Sequence, residues 1–361
     1  MSNNIKYNIF LLISTLSRNL VEVFNIALLY KLNYSIKEIF LYYTVFFLFS
    51  ALVNVITIYL TNYIKSKYIL VLSNLLFCYS YYFLNNTRHN INTLIIFALI
   101  SSFASYTYHI IRHYFALKYT DNSNKEIGNI AIFSFIGIII SSYLGPVITE
   151  NYSFSITIII MLIFSLISMI PLLLIKDNTV KEKIIKIKLN RNRKLFFIFE
   201  QSKVLFLLIQ PLFLYLYVSE NLKYIGVFNV INCIASIIFV YYLVRKININ
   251  KYFKYLNILL IIVLVLKLNI LNKYFILMLA FFEGLFIKVY EIVSMKNLYQ
   301  IKTNNIKSYL IKVELIFCLV RSLFMFFSYL FINNLKIVLY ILLVFILISG
   351  FCIKDIKTVE K

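Results

Sequence analysis

The chain has 361 residues, of which 62% are hydrophobic and only 14% charged, with a net charge of +22. Soluble domains are nearer half apolar and a quarter charged, so this composition excludes a water-soluble fold around one core. The basic excess sits in short loops between apolar runs, which argues for orientation in a membrane and against a nucleic-acid partner.

Apolar runs of about 20 residues read as transmembrane helices. Lipid offers the backbone no hydrogen bonds, so helices are the expected spanning element. A membrane barrel would alternate apolar with polar residues, and these runs do not. Taken in order, twelve spans are expected: Ile9–Tyr30, Ile39–Leu60, Tyr68–Leu84, Thr93–Lys118, Ile127–Ile148, Phe154–Ile175, Leu195–Val218, Ile225–Val244, Tyr255–Leu271, Phe275–Met295, Ile311–Phe331 and Ile337–Ile353. The first is long enough to span and stay, so no cleavable leader is expected. The seventh begins with polar Glu200, Gln201 and Lys203, and the ninth carries Lys267. Lys203, Lys267 and Lys312 lie near span ends, where a long side chain snorkels to the interface. Cys78, Cys233, Cys318 and Cys352 lie in or at the ends of apolar runs without paired spacing. They read as small hydrophobes, not as metal ligands or disulfides.

The longest polar run, Lys176 to Lys194, holds eight Lys or Arg and two acids and falls between the sixth and seventh spans. It divides the chain into residues 1–175, a basic linker at 176–194, and residues 195–361. With the N-terminus inside, alternate loops and both tails hold 23 basic residues and the opposite loops six. That asymmetry gives an even number of spans with both ends in the cytoplasm. The expected fold class is all-α: a polytopic membrane protein of twelve helices in two six-helix bundles. Six spans, a linker and six more is a topological repeat of the kind secondary transporters use, with the substrate site between the halves.

Two stretches carry a family resemblance. The turn after the second span, LTNYIKSKYILVL at Leu60 to Leu72, is similar to the major facilitator superfamily pattern of an Asp, two residues, a Gly and two basic residues. Asn62 stands at the Asp position, Lys65 at the Gly position and Lys67 at a basic one, with Ser66 in place of the other. The fifth span holds Gly128, Gly137 and Gly145, three of the chain's six glycines, and ends in the pair Gly145-Pro146. It resembles the fifth span of that family's exporters; a Gly usual shortly afterwards is replaced by Thr149 and Glu150. Close helix packing and a bend explain such residues. The resemblance implies two six-helix bundles rocking about a cavity lined by spans one, four, seven and ten, and it assigns Asn62, Lys67, Gly145 and Pro146 to bending and gating.

Intramembrane polar groups are costly and should face such a cavity. Ser14, Arg18, Glu22 and Asn25 share a face of the first span, and Ser102, Ser105, His109, Arg112 and His113 form a stripe on the fourth. Lys203, Gln210 and Tyr217 share a face of the seventh, beside Pro211. The tenth carries Glu283, Tyr290 and Ser294, with Lys288 and Glu291 three residues apart; the eleventh carries Glu314 and Arg321, seven apart. Arg18 and Glu22 are expected to pair with each other or with His109 and Arg112. Glu283 is expected to meet Arg321. Each arrangement reads either as a structural ion pair or as a substrate or proton contact. His109 and His113 have a spacing that can bind a metal; no carboxylate lies beside them in sequence, so a proton relay or substrate contact is expected and no metal. No phosphate-binding Gly-rich loop appears, and no cofactor is expected.

The expectation is a secondary active transporter of the cytoplasmic membrane, moving a small organic solute by alternating access. It leans toward export, with protons as the coupling ion in view and a monomer as the working form. The competing class is a membrane enzyme acting on lipid or lipid-linked sugar.

Overall fold

The computed structural model describes residues 3–119, 124–177, 191–242, 249–299, 305–331 and 334–352, with 179, 181, 184, 185 and 189 in the linker; side chains at 116–132, 240–252, 295–297 and 299 lie outside that description. The side chains of Lys118, Lys125, Arg245, Lys246, Lys251 and Lys296 are therefore not described, and neither are Lys183, Lys186, Lys188, Lys302, Lys354, Lys357 and Lys361. Among the described residues every regular element is helical. The helices are α1 (Asn3–Glu22), α2 (Asn25–Lys31), α3 (Ile36–Leu60), α4 (Ser66–Asn86), α5 (Ile91–Tyr119), α6 (Asn124–Asn151) and α7 (Phe154–Leu173), then α8 (Arg191–Tyr217), α9 (Leu222–Tyr242), α10 (Ile249–Asn269), α11 (Lys273–Tyr299), α12 (Ile306–Phe331) and α13 (Leu335–Phe351).

The first expected span is thus broken into α1 and α2, and the others are single helices. The break falls at Val23 and Phe24, between β-branched Val21 and polar Asn25, all poor helix formers. Its backbone groups stay satisfied, which lipid depth demands: the Phe24 N–H donates to Val21 and the Phe24 carbonyl accepts from Leu28. By length and composition the α1–α2 pair and α3 through α9 are apolar enough to cross a membrane. Helices α10, α11 and α12 carry charged residues within them, and α13 has only 17 residues.

Turn chemistry sets several helix starts. Ser35 and Glu38 form a reciprocal capping box at α3, and Ser153 and Asn334 cap α7 and α13 through their side chains. Lys67, at the start of α4, donates through Nζ to the carbonyls of Leu173 and Ile175, tying the α3–α4 turn to the end of α7. A cation there also favours the negative end of the α7 dipole.

In the first bundle α1 packs on α6 and α7, α4 lies against α5 and α7, and α3 lies on α5. In the second, α9 packs on α11, α10 on α11 and α13, and α13 on α8. The bundles meet along α3 with α12 and along α6 with α9. Two glycines explain how closely α6 approaches α1. A Cβ on Gly137 would sit 2.7 Å from the Leu12 carbonyl oxygen, and one on Gly145 would overlap the Leu20 backbone. Across the bundles, Gly226 of α9 lies against the Ser142 carbonyl and Pro146 of α6. The outward faces are apolar: α7 exposes Ile159, Leu162, Ile163, Leu166 and Ile170, and α13 exposes Ile337 and Val344.

Candidate functional site

Arg18 is buried inside the first bundle. Its guanidinium donates to Asn74 of α4 at 3.3 Å and Ser105 of α5 at 3.2 Å, lies over the rings of Phe77 and Tyr108, and sits 3.5 Å from Glu22. Of the expected alternatives, the pair with Glu22 forms. Asn25, just past the break, donates to the Tyr43 hydroxyl while its own oxygen is buried without a partner. Arg112 accepts from the Tyr7 hydroxyl through its backbone, and its guanidinium lies 5.9 Å from the Tyr108 ring centroid.

Glu283 does not meet Arg321. It is fully buried against Lys267 of α10, at 2.5 Å, with the Lys267 ammonium over Phe206 and Phe228. Lys267 therefore does not snorkel: its position two residues from the end of α10 suggests an interface residue, but helix packing encloses it. Lys203 is likewise buried, 4.0 Å from Glu291 and over the Tyr290 ring.

Arg321 reaches across the bundles. Its Nε donates to Gln201 of α8 and its Nη1 to the Tyr106 hydroxyl of α5, both at 2.8 Å. One turn along α5, His109 lies 3.5 Å from Glu314 and 3.1 Å from His113. The same face of α12 thus presents Glu314 and Arg321, and both engage α5.

Both ends of the interface are closed by contacts between the bundles. At the linker end, the buried Lys307 ammonium donates to Asn62 at 2.6 Å, and Ser308 accepts from the linker backbone at Ile185. At the far end, Glu150 of α6 accepts from the Leu222 N–H, the first residue of α9, at 2.6 Å. A carboxylate there completes the helix start and favours its dipole. Lys223 donates to Asn151, and Tyr30 meets Tyr215 edge to face.

Between those closures lies a cavity of about 190 Å³. Its walls are Phe135 and Ile138 of α6, Leu207, Gln210, Pro211 and Leu214 of α8, Asn229, Asn232, Cys233 and Ser236 of α9, and Ile287 and Glu291 of α11. The Gln210 side-chain oxygen is buried without a partner. Glu291 is bridged by Lys288 at 2.7 Å and keeps about 31% of its side chain exposed.

The sequence profile of the Major Facilitator Superfamily matches residues 8–353. The chain belongs to the Major Facilitator Superfamily. No curated protein matches it in sequence, but superfamily structures superpose over the whole chain. A point mutant of the nucleoside transporter NupG shares 10% identity at a TM-score of 0.70, covering 99% of this chain and all of that one. The human organic anion transporter MFSD10 (TETRAN) gives 10% identity and a TM-score of 0.68, over 98% of this chain and all of that one. A bacterial homologue of the iron transporter ferroportin, in its outward-facing state, gives 12% and 0.66 over 98% of both chains. At such identities the likeness carries the fold. Superfamily membership makes this a multi-pass membrane transporter for a small molecule and not an enzyme.

This cavity is lined by spans seven and ten, through α8 and α11, and by spans five and eight, through α6 and α9; spans one and four, expected around the central cavity, take no part in its wall. Arg18, Glu22, Asn25, His109 and Arg112 are absent from its wall. Tyr217 lies toward the end of α8, its ring 5.0 Å from the Lys336 ammonium. The polar wall of α9 is the part that the sequence reading misses, although Asn229, Asn232 and Ser236 recur three and four residues apart in an otherwise apolar span. That stripe, of the same kind as those on the other spans, is the available signal.

Proposed function

We propose that the protein is a secondary transporter of the cytoplasmic membrane with both termini inside, working as a monomer by alternating access of residues 1–175 against 195–361, with 176–194 as the cytoplasmic linker. The observation that carries this reading is the cavity between the bundles, whose wall mixes Gln210, Asn229, Asn232 and Ser236 with the half-open carboxylate of Glu291. Two bundles that touch at both ends of a partly open cavity with polar groups in its wall can open one end at a time. Asn62 with Lys307 forms the cytoplasmic closure, and Glu150 with the start of α9 forms the outer one.

A cavity of about 190 Å³ falls below the several hundred typical of drug-sized ligands, so the substrate is a small polar organic solute. Glu291 is the coupling carboxylate: it faces the cavity between Lys203 and Lys288, either of which can hold it ionised or release it when the bundles move. Arg18 with Glu22 and Lys267 with Glu283 act as structural pairs within their own bundles. Export is the favoured direction, from the Gly145-Pro146 packing of α6. Purified protein in liposomes, offered a panel of small polar solutes with and without a pH gradient, tests the reading. Solute flux that follows the gradient supports it, and flux indifferent to the gradient removes the proton.

A further inference from the structure

The chain has three histidines, and two of them meet a carboxylate from the opposite bundle. His109 and His113, one turn apart on α5, bring their Nε2 atoms to 3.1 Å with rings 83° apart. Glu314 of α12 brings Oε1 to 3.5 Å from the same His109 nitrogen. The Glu314 side chain is fully buried, and neither of its oxygens has a hydrogen-bond partner. A buried carboxylate without hydrogen bonds is costly and needs a nearby cation. A neutral imidazole nitrogen carries at most one hydrogen, so His109 Nε2 cannot fully serve both His113 and Glu314.

A metal ion serves all three. Ligand atoms about 2.1 Å from a tetrahedral zinc lie roughly 3.3–3.5 Å apart. The two short separations here, 3.1 and 3.5 Å, match that spacing; the remaining pair lies within 4.8 Å and must close to under about 4.2 Å for both atoms to reach one ion. Arg321, seven residues along α12, is a cation whose charge acts on Glu314, but its Nε and Nη1 donate to Gln201 and Tyr106; the Arg112 guanidinium lies toward Tyr108, and the Lys307 ammonium is on Asn62.

We propose that His109, His113 and Glu314 bind one divalent transition-metal ion of the zinc class, leaving a fourth position for water. Because the ligands come from both bundles, the ion ties α5 to α12 toward the linker end and must leave before that end opens. The metal site itself does not depend on the transport reading; the release of the ion before that end opens rests on it.

The test is a Co²⁺ titration of the purified, metal-stripped full chain in detergent. One equivalent should bind with the intense visible absorption of a four-coordinate site and be displaced by Zn²⁺. Glu314→Gln and His113→Ala should each weaken binding at least tenfold, while His89→Ala, the remaining histidine, should leave it unchanged. Should Glu314→Gln fail to fold, His109→Ala replaces it, since that ring is one-third exposed. Zn²⁺ should also slow amide exchange in the facing turns of α5 and α12 in the parent chain and not in the variants. A Co²⁺ spectrum of the weak, six-coordinate kind, or binding unaffected by Glu314→Gln or its replacement, would overturn the site. Binding without any change in exchange would overturn the tie between the bundles.

Discussion

Glu283 and Glu291 lie on the same helix, eight residues apart, and meet opposite fates. Glu283 is sealed against Lys267 with neither side chain exposed. Glu291, about 12 Å further along the helix and roughly 80° around it, faces a cavity between two lysines and stays about 31% exposed. A sealed pair holds two helices together and has nothing to exchange with. An open carboxylate between two cations has a partner to lose and solvent or solute to gain. On the proposed reading, burial, more than the presence of a charge in a membrane helix, separates a scaffold residue from a working one.

The sharpest way to break that comparison is to remove one member of the sealed pair. Glu283→Gln leaves the Lys267 charge buried alone, which should cost about 3–5 kcal/mol. The yield of monodisperse protein in detergent should collapse. The double variant Lys267→Met with Glu283→Leu should recover most of it, since an apolar replacement of a buried pair is often neutral or better. A normal yield from the single Glu283→Gln variant would mean the pair is not structural.

A smaller effect is expected from packing. Gly145→Ala puts a methyl group into the Leu20 backbone, and overpacking of this kind costs about 1–3 kcal/mol. Thermal unfolding should fall by several degrees, whereas Ala at exposed positions of α7 should leave it unchanged. Smaller again is Asn62→Asp, which gives Lys307 a charged partner. It should strengthen the linker-end closure and slow turnover by a few-fold with little change in stability, measurable as a lower flux at equal protein. Faster flux would show that this contact is not a closure.

The spans are legible in the sequence because lipid imposes length and hydropathy on each helix separately. The close packing of Gly137 and Gly145 is legible for the same reason: a small residue at a helix face means a near neighbour, whichever helix that is. Partners are not. Helical spacing assigns Glu283, Glu314 and Arg321 to faces, but a face does not name the helix opposite. Spacing alone therefore sends Lys267 to an interface, and it does not join Glu314 to His109 and His113. The break at Val23 and Phe24 is hidden because it carries neither Gly nor Pro.

The most direct measurement compares flux in liposomes for Glu291→Gln and for the double variant Lys267→Met with Glu283→Leu, using a solute identified in the panel screen. At least a tenfold loss is expected for Glu291→Gln with unfolding temperature nearly unchanged, and flux within about threefold of the parent for the double variant. Normal flux in Glu291→Gln together with lost flux in a well-folded double variant would contradict this expectation.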